Sequence, residues 1–168
     1  MEEFNQIYKL YYKSIYKYFL YLTGNCQLSE DLLQETFVNA FKAINKFKGK
    51  SKVSTWLYAI AKNVYLKEIK SKKRDDTVFL EEIAYEGIDM NMPDAIIERK
   101  DNMKSVILAI KRLEENYRQV IILRSIEELS FREIGELLEK NENWARVTFY
   151  RAKLKLKEEM EGEINGRQ

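Results

Sequence analysis

Histidine does not occur in this 168-residue chain, which removes the commonest general base and metal ligand at neutral pH. Its one cysteine, Cys26, has no partner for an internal disulfide and cannot build a thiolate zinc cluster. A small buried apolar role suits Cys26 better than redox sensing. A single proline and six glycines favour long helices over turn-rich sheet. No glycine-rich phosphate loop or nucleophile elbow is present, so carboxylate catalysis stays formally open, while no metal or cofactor is expected. There is no secretory leader pattern and no apolar run long enough to span a membrane, so a cytoplasmic protein is expected.

What the chain does have is charge arranged in blocks. Hydrophobic residues make up 45% and charged residues 33%, with a formal net charge of +2, a globular balance. The small net charge hides a division. Residues 1–74 carry 14 Lys and Arg against 6 Asp and Glu, residues 75–101 carry 2 against 9, and residues 102–168 carry 13 against 12. A basic, an acidic and a mixed block predict two modules and a linker. The length allows one ordinary domain or two small ones.

Helical periodicity dominates the basic block. A first helix is expected over residues 2–22, with Phe4, Ile7, Tyr8, Tyr11, Ile15, Phe19 and Leu22 inward. Tyr12, Tyr16, Tyr18 and Tyr21 lie partly off that stripe and could serve a partner, although tyrosines along a helix edge are also a common and plainer occurrence. Thr23-Gly24-Asn25 supplies the stop. Ser29 is read as the N-cap of a second helix, about Glu30 to Phe47, with Leu33, Phe37, Ala40, Phe41 and Ile44 inward. Its other face carries Asp31, Gln34 and Glu35, an acidic and polar cluster in a basic module that would suit a basic partner.

The stretch Phe47 to Arg74 interleaves aromatics and cations. A lysine loop, Lys46 to Lys52, leads into an amphipathic helix entered near Ser54-Thr55-Trp56, with Leu57, Ile60, Ala61 and Val64 inward and Lys62, Asn63, Lys67 and Lys70 outside. Single-stranded nucleic acid needs a stacking surface beside a positive one. An ordinary helix with a solvated lysine face fits this stretch equally well, and Trp56 suits a core anchor better than a stacking platform.

Residues 75 to about 100 lose the helical period, hold most of the acid and contain Pro93, as a flexible linker would. Phe79, Leu80, Ile83 and Ile88 are candidates for transient docking. Helical periodicity returns at Asp101, with Val106, Ile107, Ile110 and Leu113 on one stripe and a second helix from Tyr117 to Glu127. Ser130-Phe131-Arg132-Glu133 matches a capping box and opens a short helix. After a turn at Glu139 to Asn141, Asn141 caps a last helix running to about Glu159. Ala145, Phe149, Ala152 and Leu156 face inward, while Asn143, Arg146, Val147, Tyr150 and Arg151 face outward, with Lys153, Lys155 and Lys157 beyond. This is a helix-turn-helix plan, whose second helix enters the major groove; arginine there can read guanine and Val147 a thymine methyl group. A basic helical hairpin without DNA is the plainer alternative.

Together, DLLQETF (Asp31 to Phe37), FKGKS followed by TWLYAIAKN (Phe47 to Asn63), and LSFREIGELL followed by YRAKLKLKE resemble the extracytoplasmic-function group of bacterial RNA polymerase sigma factors. The resemblance covers nearly the whole chain, with the motifs in order. It implies an all-α fold of two small helical domains, an N-terminal helical bundle (1–74) and a C-terminal helix-turn-helix domain (101–168), joined by a flexible acidic linker (75–100). It assigns Asp31, Gln34 and Glu35 to the clamp helices of the polymerase largest subunit. Phe47, Lys48, Gly49, Lys50, Ser51, Lys52, Thr55, Trp56, Tyr58, Lys62 and Asn63 fall on the loop and helix that capture the unpaired minus-ten strand. Asn143, Arg146, Val147, Tyr150 and Arg151 fall on the minus-thirty-five face. Implied partners are core RNA polymerase, promoter DNA and an anti-sigma factor, often membrane-bound, with no small-molecule substrate.

Three departures stand out. Lys67 occupies a position usually held by aspartate. Glu139 and Lys140 replace a glycine and an apolar residue in the turn. Trp144, Ala145 and Thr148 replace threonine, valine and arginine in the recognition helix, which bears on promoter preference rather than fold. Rival readings are a stand-alone helix-turn-helix regulator and a helical adaptor that binds only protein. A simple repressor has no need of the acidic cluster joined to the lysine loop.

Overall fold

The computed structural model describes residues 1–75 and 100–166. The expected linker, apart from its ends, lies outside them. All regular structure among the described residues is helical. Helix α1 spans Glu2–Thr23 and stops where Gly24 takes a left-handed φ of 64°, its N–H donating to the Leu20 carbonyl. That conformation suits glycine because a Cβ would crowd the following carbonyl. Space is also short there, since a Cβ on Gly24 would lie 3.2 Å from the Ile107 side chain.

Helix α2, Cys26–Ala43, begins earlier than the expected Ser29 cap. Asn25 is the cap, its side chain accepting from the Leu28 N–H at 2.9 Å. Ser29 is buried instead and donates its hydroxyl to the Asn25 carbonyl at 2.6 Å. Two adjacent signals, a glycine stop and an asparagine start, thus make a corner of only two residues. A 3-10 turn over Ile44–Lys46 ends α2 short of Phe47. Helix α3 then runs Val53–Asp75.

The C-terminal module contains α4 (Lys100–Lys111), α5 (Glu115–Ile121), α6 (Phe131–Leu137) and α7 (Glu142–Gly166). Helix α5 starts two residues before the expected Tyr117. It widens into a π turn over Ile122–Ile126, where the Glu127 N–H reaches back to the Ile122 carbonyl at 3.1 Å. The capping box is present in both halves: Ser130 Oγ accepts from the Glu133 N–H at 3.1 Å, and the Ser130 N–H donates to Glu133 Oε2 at 2.8 Å. Asn141 Oδ1 accepts from the Trp144 N–H at 2.7 Å and caps α7, which continues past the expected Glu159.

Between α6 and α7, Glu139 takes the left-handed φ of 58° that a glycine would adopt more easily. The close approach falls at Gly135, where an added Cβ would stand 2.9 Å from the Asn141 carbonyl carbon. The Lys140 N–H donates to the Gly135 carbonyl at 2.7 Å. Replacing Gly135 by alanine must therefore push backbone against backbone. Gly135→Ala is expected to cost about 1–3 kcal/mol, read as a lower denaturation midpoint. Gly162→Ala, which meets nothing within 4 Å in the same module's long helix, should be neutral or slightly stabilising and serves as its control.

Candidate nucleic-acid and polymerase interfaces

The lysine loop and the start of α3 form one continuous surface. Phe47 and Trp56 lie with ring centroids 4.9 Å apart and planes 34° apart. With Lys46, Lys48, Lys50 and Ser51 they line a cavity of about 260 Å³. Trp56 is half-buried, so it anchors the loop and still offers a face to this cavity. Gly49 turns the loop with a φ of 68°. Flat aromatic faces ringed by cations can hold a base and its phosphates together.

Other residues assigned to the minus-ten strand are placed differently. Asn63 is exposed and lines a second cleft, of about 290 Å³, with Glu35, Asn39 and Lys67. Lys67 pairs with Glu35 at 3.4 Å, so the departure at position 67 joins α3 to the acidic face of α2. Thr55 is buried, and Tyr58 is only 3% exposed. Tyr58, Lys62 and Lys52 all face the C-terminal module. The Tyr58 hydroxyl donates to Glu127, Lys62 Nζ donates to the Leu137 carbonyl at 2.8 Å, and Lys52 pairs with Glu133 at 2.9 Å. The Ser130 amide first, and Lys52 with it, hold the Glu133 carboxyl below its ordinary range.

Two of the four tyrosines read as off the stripe of α1, Tyr16 and Tyr18, are covered within the chain. Tyr18 is fully buried, and its hydroxyl donates to Gln119 Oε1 at 2.7 Å. Tyr16 is buried as well. Tyr65 donates to Glu115 at 3.3 Å. Burial is the main reason the hydroxyls of Tyr18, Tyr58 and Tyr65 titrate well above their ordinary value. Glu127 moves in the same direction. Burial pushes its carboxyl up to about 7, against the opposing effects of the Tyr58 hydroxyl and Lys17.

On α2, Asp31 and Gln34 are exposed and Glu35 is partly so. Phe41, expected inward, is 50% exposed, and Val38 beside it is 51% exposed. Phe41 packs edge-on against Phe4 at 5.1 Å, at the open end of the α1–α2 pair, so only one side of its ring is covered. Helical spacing from Glu35 through Val38 to Phe41 was the available signal, because it continues the polar face into an apolar one. On α7, all five residues assigned to duplex DNA, Asn143, Arg146, Val147, Tyr150 and Arg151, are exposed. Arg146 is held by Glu142 at 3.1 Å and lies 5.4 Å from the centre of the Phe131 ring.

This arrangement, a helix-turn-helix joined to an aromatic and basic helix with an acidic neighbour, defines a class. Residues 7–75 match the family Sigma-70 region 2, and residues 103–156 match Sigma-70, region 4. The chain is 31% identical over 163 residues to the RNA polymerase sigma factor YlaC of Bacillus subtilis (strain 168), covering 95% of this chain and 92% of that protein. It is 30% identical over 167 residues to the ECF RNA polymerase sigma factor SigW of the same organism, covering 95% and 89%. The chain belongs to the sigma-70 family, in its extracytoplasmic-function group, and is an alternative sigma factor for transcription initiation.

Solved structures share the fold across both modules. The sigma factor RpoE in complex with the anti-sigma factor NepR from Bartonella quintana gives a TM-score of 0.75 at 17% identity, covering 96% of this chain and 98% of that one. CnrH in complex with the cytosolic domain of CnrY gives 0.68 at 19% identity, covering 95% and 88%. No helix among the described residues is long and apolar enough to cross a membrane.

The contacts differ in weight. Tyr18→Phe leaves Gln119 Oε1 buried without its donor and is expected to cost about 1–3 kcal/mol. Lys67→Ala removes only an exposed pair and should cost less than about 1 kcal/mol. Paired denaturation curves test this, and equal effects would contradict it.

Proposed function

We propose that three parts of the chain divide the work of initiation between them. Residues 1–74 hold core RNA polymerase and the unpaired minus-ten strand. Residues 101–168 hold the minus-thirty-five duplex, and 75–100 tether the two. Asp31, Gln34 and Glu35 offer carboxylates and an amide to a basic surface of the polymerase clamp, and Val38 and Phe41 add an apolar flank that excludes water from it. The protein acts in the cytoplasm, catalyses nothing itself, and is held in check by an anti-sigma factor.

The observation that carries this reading is the Phe47–Trp56 pair set in a lysine-ringed cavity. Melting requires a base to leave the duplex stack, at a cost of a few kcal/mol. A base captured against Phe47 and Trp56 recovers about 1–3 kcal/mol from stacking, while the loop lysines meet the flanking phosphates. On α7 the exposed Arg146 and Arg151 provide bidentate donors for base edges or phosphates, and Val147 and Tyr150 provide apolar contact.

Adding the purified protein to core polymerase with random promoter fragments, and sequencing the transcripts, tests the whole reading. Failure to bind or redirect core polymerase would return the chain to the class of stand-alone helix-turn-helix regulators. Within the complex, Trp56→Ala and Asn63→Ala are expected to reduce open-complex formation more than duplex binding, as permanganate footprints and gel shifts would report. Equal losses in both assays would remove the strand-capture assignment. Arg146→Ala should weaken duplex binding by about 1–3 kcal/mol at one base position. A loss uniform over all sequences would make Arg146 a phosphate contact instead.

A further inference from the structure

We propose that the packed arrangement is a self-masked state, in which the C-terminal module occupies part of the strand-capturing surface by offering it the same acceptor chemistry as a nucleic acid, with Glu127 as the latch. The inference rests on the strand-capture reading of α3. Three residues assigned to the minus-ten strand are bonded across the junction, and each meets an oxygen acceptor. Lys52 meets the Glu133 carboxylate, Lys62 the Leu137 carbonyl and Tyr58 the Glu127 carboxyl. Phosphate and base oxygens would be met by the same donors, so strand and module compete for them. The open cavity beside Phe47 and Trp56 is lined by residues of the N-terminal module, which leaves a first foothold for an incoming base.

The junction is not closed along its whole length. A groove of about 410 Å³ runs through it between Leu22 and Leu32 on one side and Lys111 and Arg118 on the other, so apolar contact there is incomplete. Its polar contacts also depend on ionisable groups. Glu127 is the most exacting, because Tyr58 meets Oε2 while Oε1 is buried with no hydrogen-bond partner. Buried and half-satisfied, a carboxyl favours its neutral form.

The groups facing Glu127 come from every neighbouring element. Tyr58 lies on α3, Lys17 on α1, and Glu128 next in the chain. Tyr18 and Tyr21 of α1 also sense its charge. Burial prevails over Lys17 and Tyr58, and the carboxyl titrates at about 7 in the packed state. An open chain returns it to its ordinary value of 4.5. Packing therefore takes up a proton. The contribution of Glu127 is fully present below the ordinary value, falls as pH rises, and is lost once pH passes about 7.

The test uses the full chain, with small-angle scattering for compactness and a fluorescent single-stranded oligonucleotide for strand binding. From about pH 5 to about pH 7 the wild-type chain should expand and its strand affinity rise, by up to about tenfold per pH unit for one released proton. A purely electrostatic lysine surface would show no such rise. Glu127→Gln, a neutral stand-in, should stay compact and bind strand weakly across the range. Glu127→Lys should stay open and bind strand at every pH. A wild-type chain whose compactness ignores pH, or a pH response that persists in Glu127→Gln, would overturn the latch. An open Glu127→Lys chain that binds no strand would instead remove the strand-capture reading and the masking with it.

Discussion

Buried tyrosine hydroxyls need acceptors, and the packing of this protein depends on where they find them. Tyr18, Tyr58 and Tyr65 each bury a ring among α1 and α3 and send a hydroxyl across to Gln119, Glu127 or Glu115. A buried phenol without a partner is costly, whereas one with a partner adds only about 1 kcal/mol. These bonds therefore stabilise the packed state modestly while ruling out neighbouring registers severely. They fix which face of α5 and its π turn meets the N-terminal bundle, and through that the placement of α6 over α3.

The local parts of this design were legible in the chain. Gly24, the Ser130 and Glu133 box, and Asn141 each announce a helix end through hydrogen bonds made within four residues. The outward face of α7 follows from period alone. Even the start of α2, misplaced at Ser29, was available in Asn25. Two good caps stood close together, and only the depth of the corner decides which of them reaches solvent.

The junction was not legible, for a physical reason. Tyr18 and Gln119 are separated by 101 residues, and period says nothing about what covers the second side of an amphipathic ring. Tyr16 and Tyr18 look like edge residues on α1 because they are edge residues with respect to α2 and α3, and a third layer covers them. Tyr58 and Lys62 pose the same ambiguity on α3, since a donor suited to phosphate is suited to a carboxylate. Phe41 is the reverse case. Its stripe is correct, but the bundle ends before covering it. For the candidate site, the sequence named residues, and the tertiary contacts sorted them into those exposed and those engaged within the chain.

The π turn over Ile122–Ile126 has a geometric consequence of its own. Its wider hydrogen bonding accommodates one more residue than an α-helical turn would, and so sets the direction in which Glu127 leaves the helix. Removing a single residue there would let the segment relax to α geometry and rotate the downstream chain by about 100°. The carboxyl would then point away from Tyr58 with its chemistry unchanged. The position of the latch is in this sense a matter of phase, and a helical insertion, more than the choice of side chain, aims it.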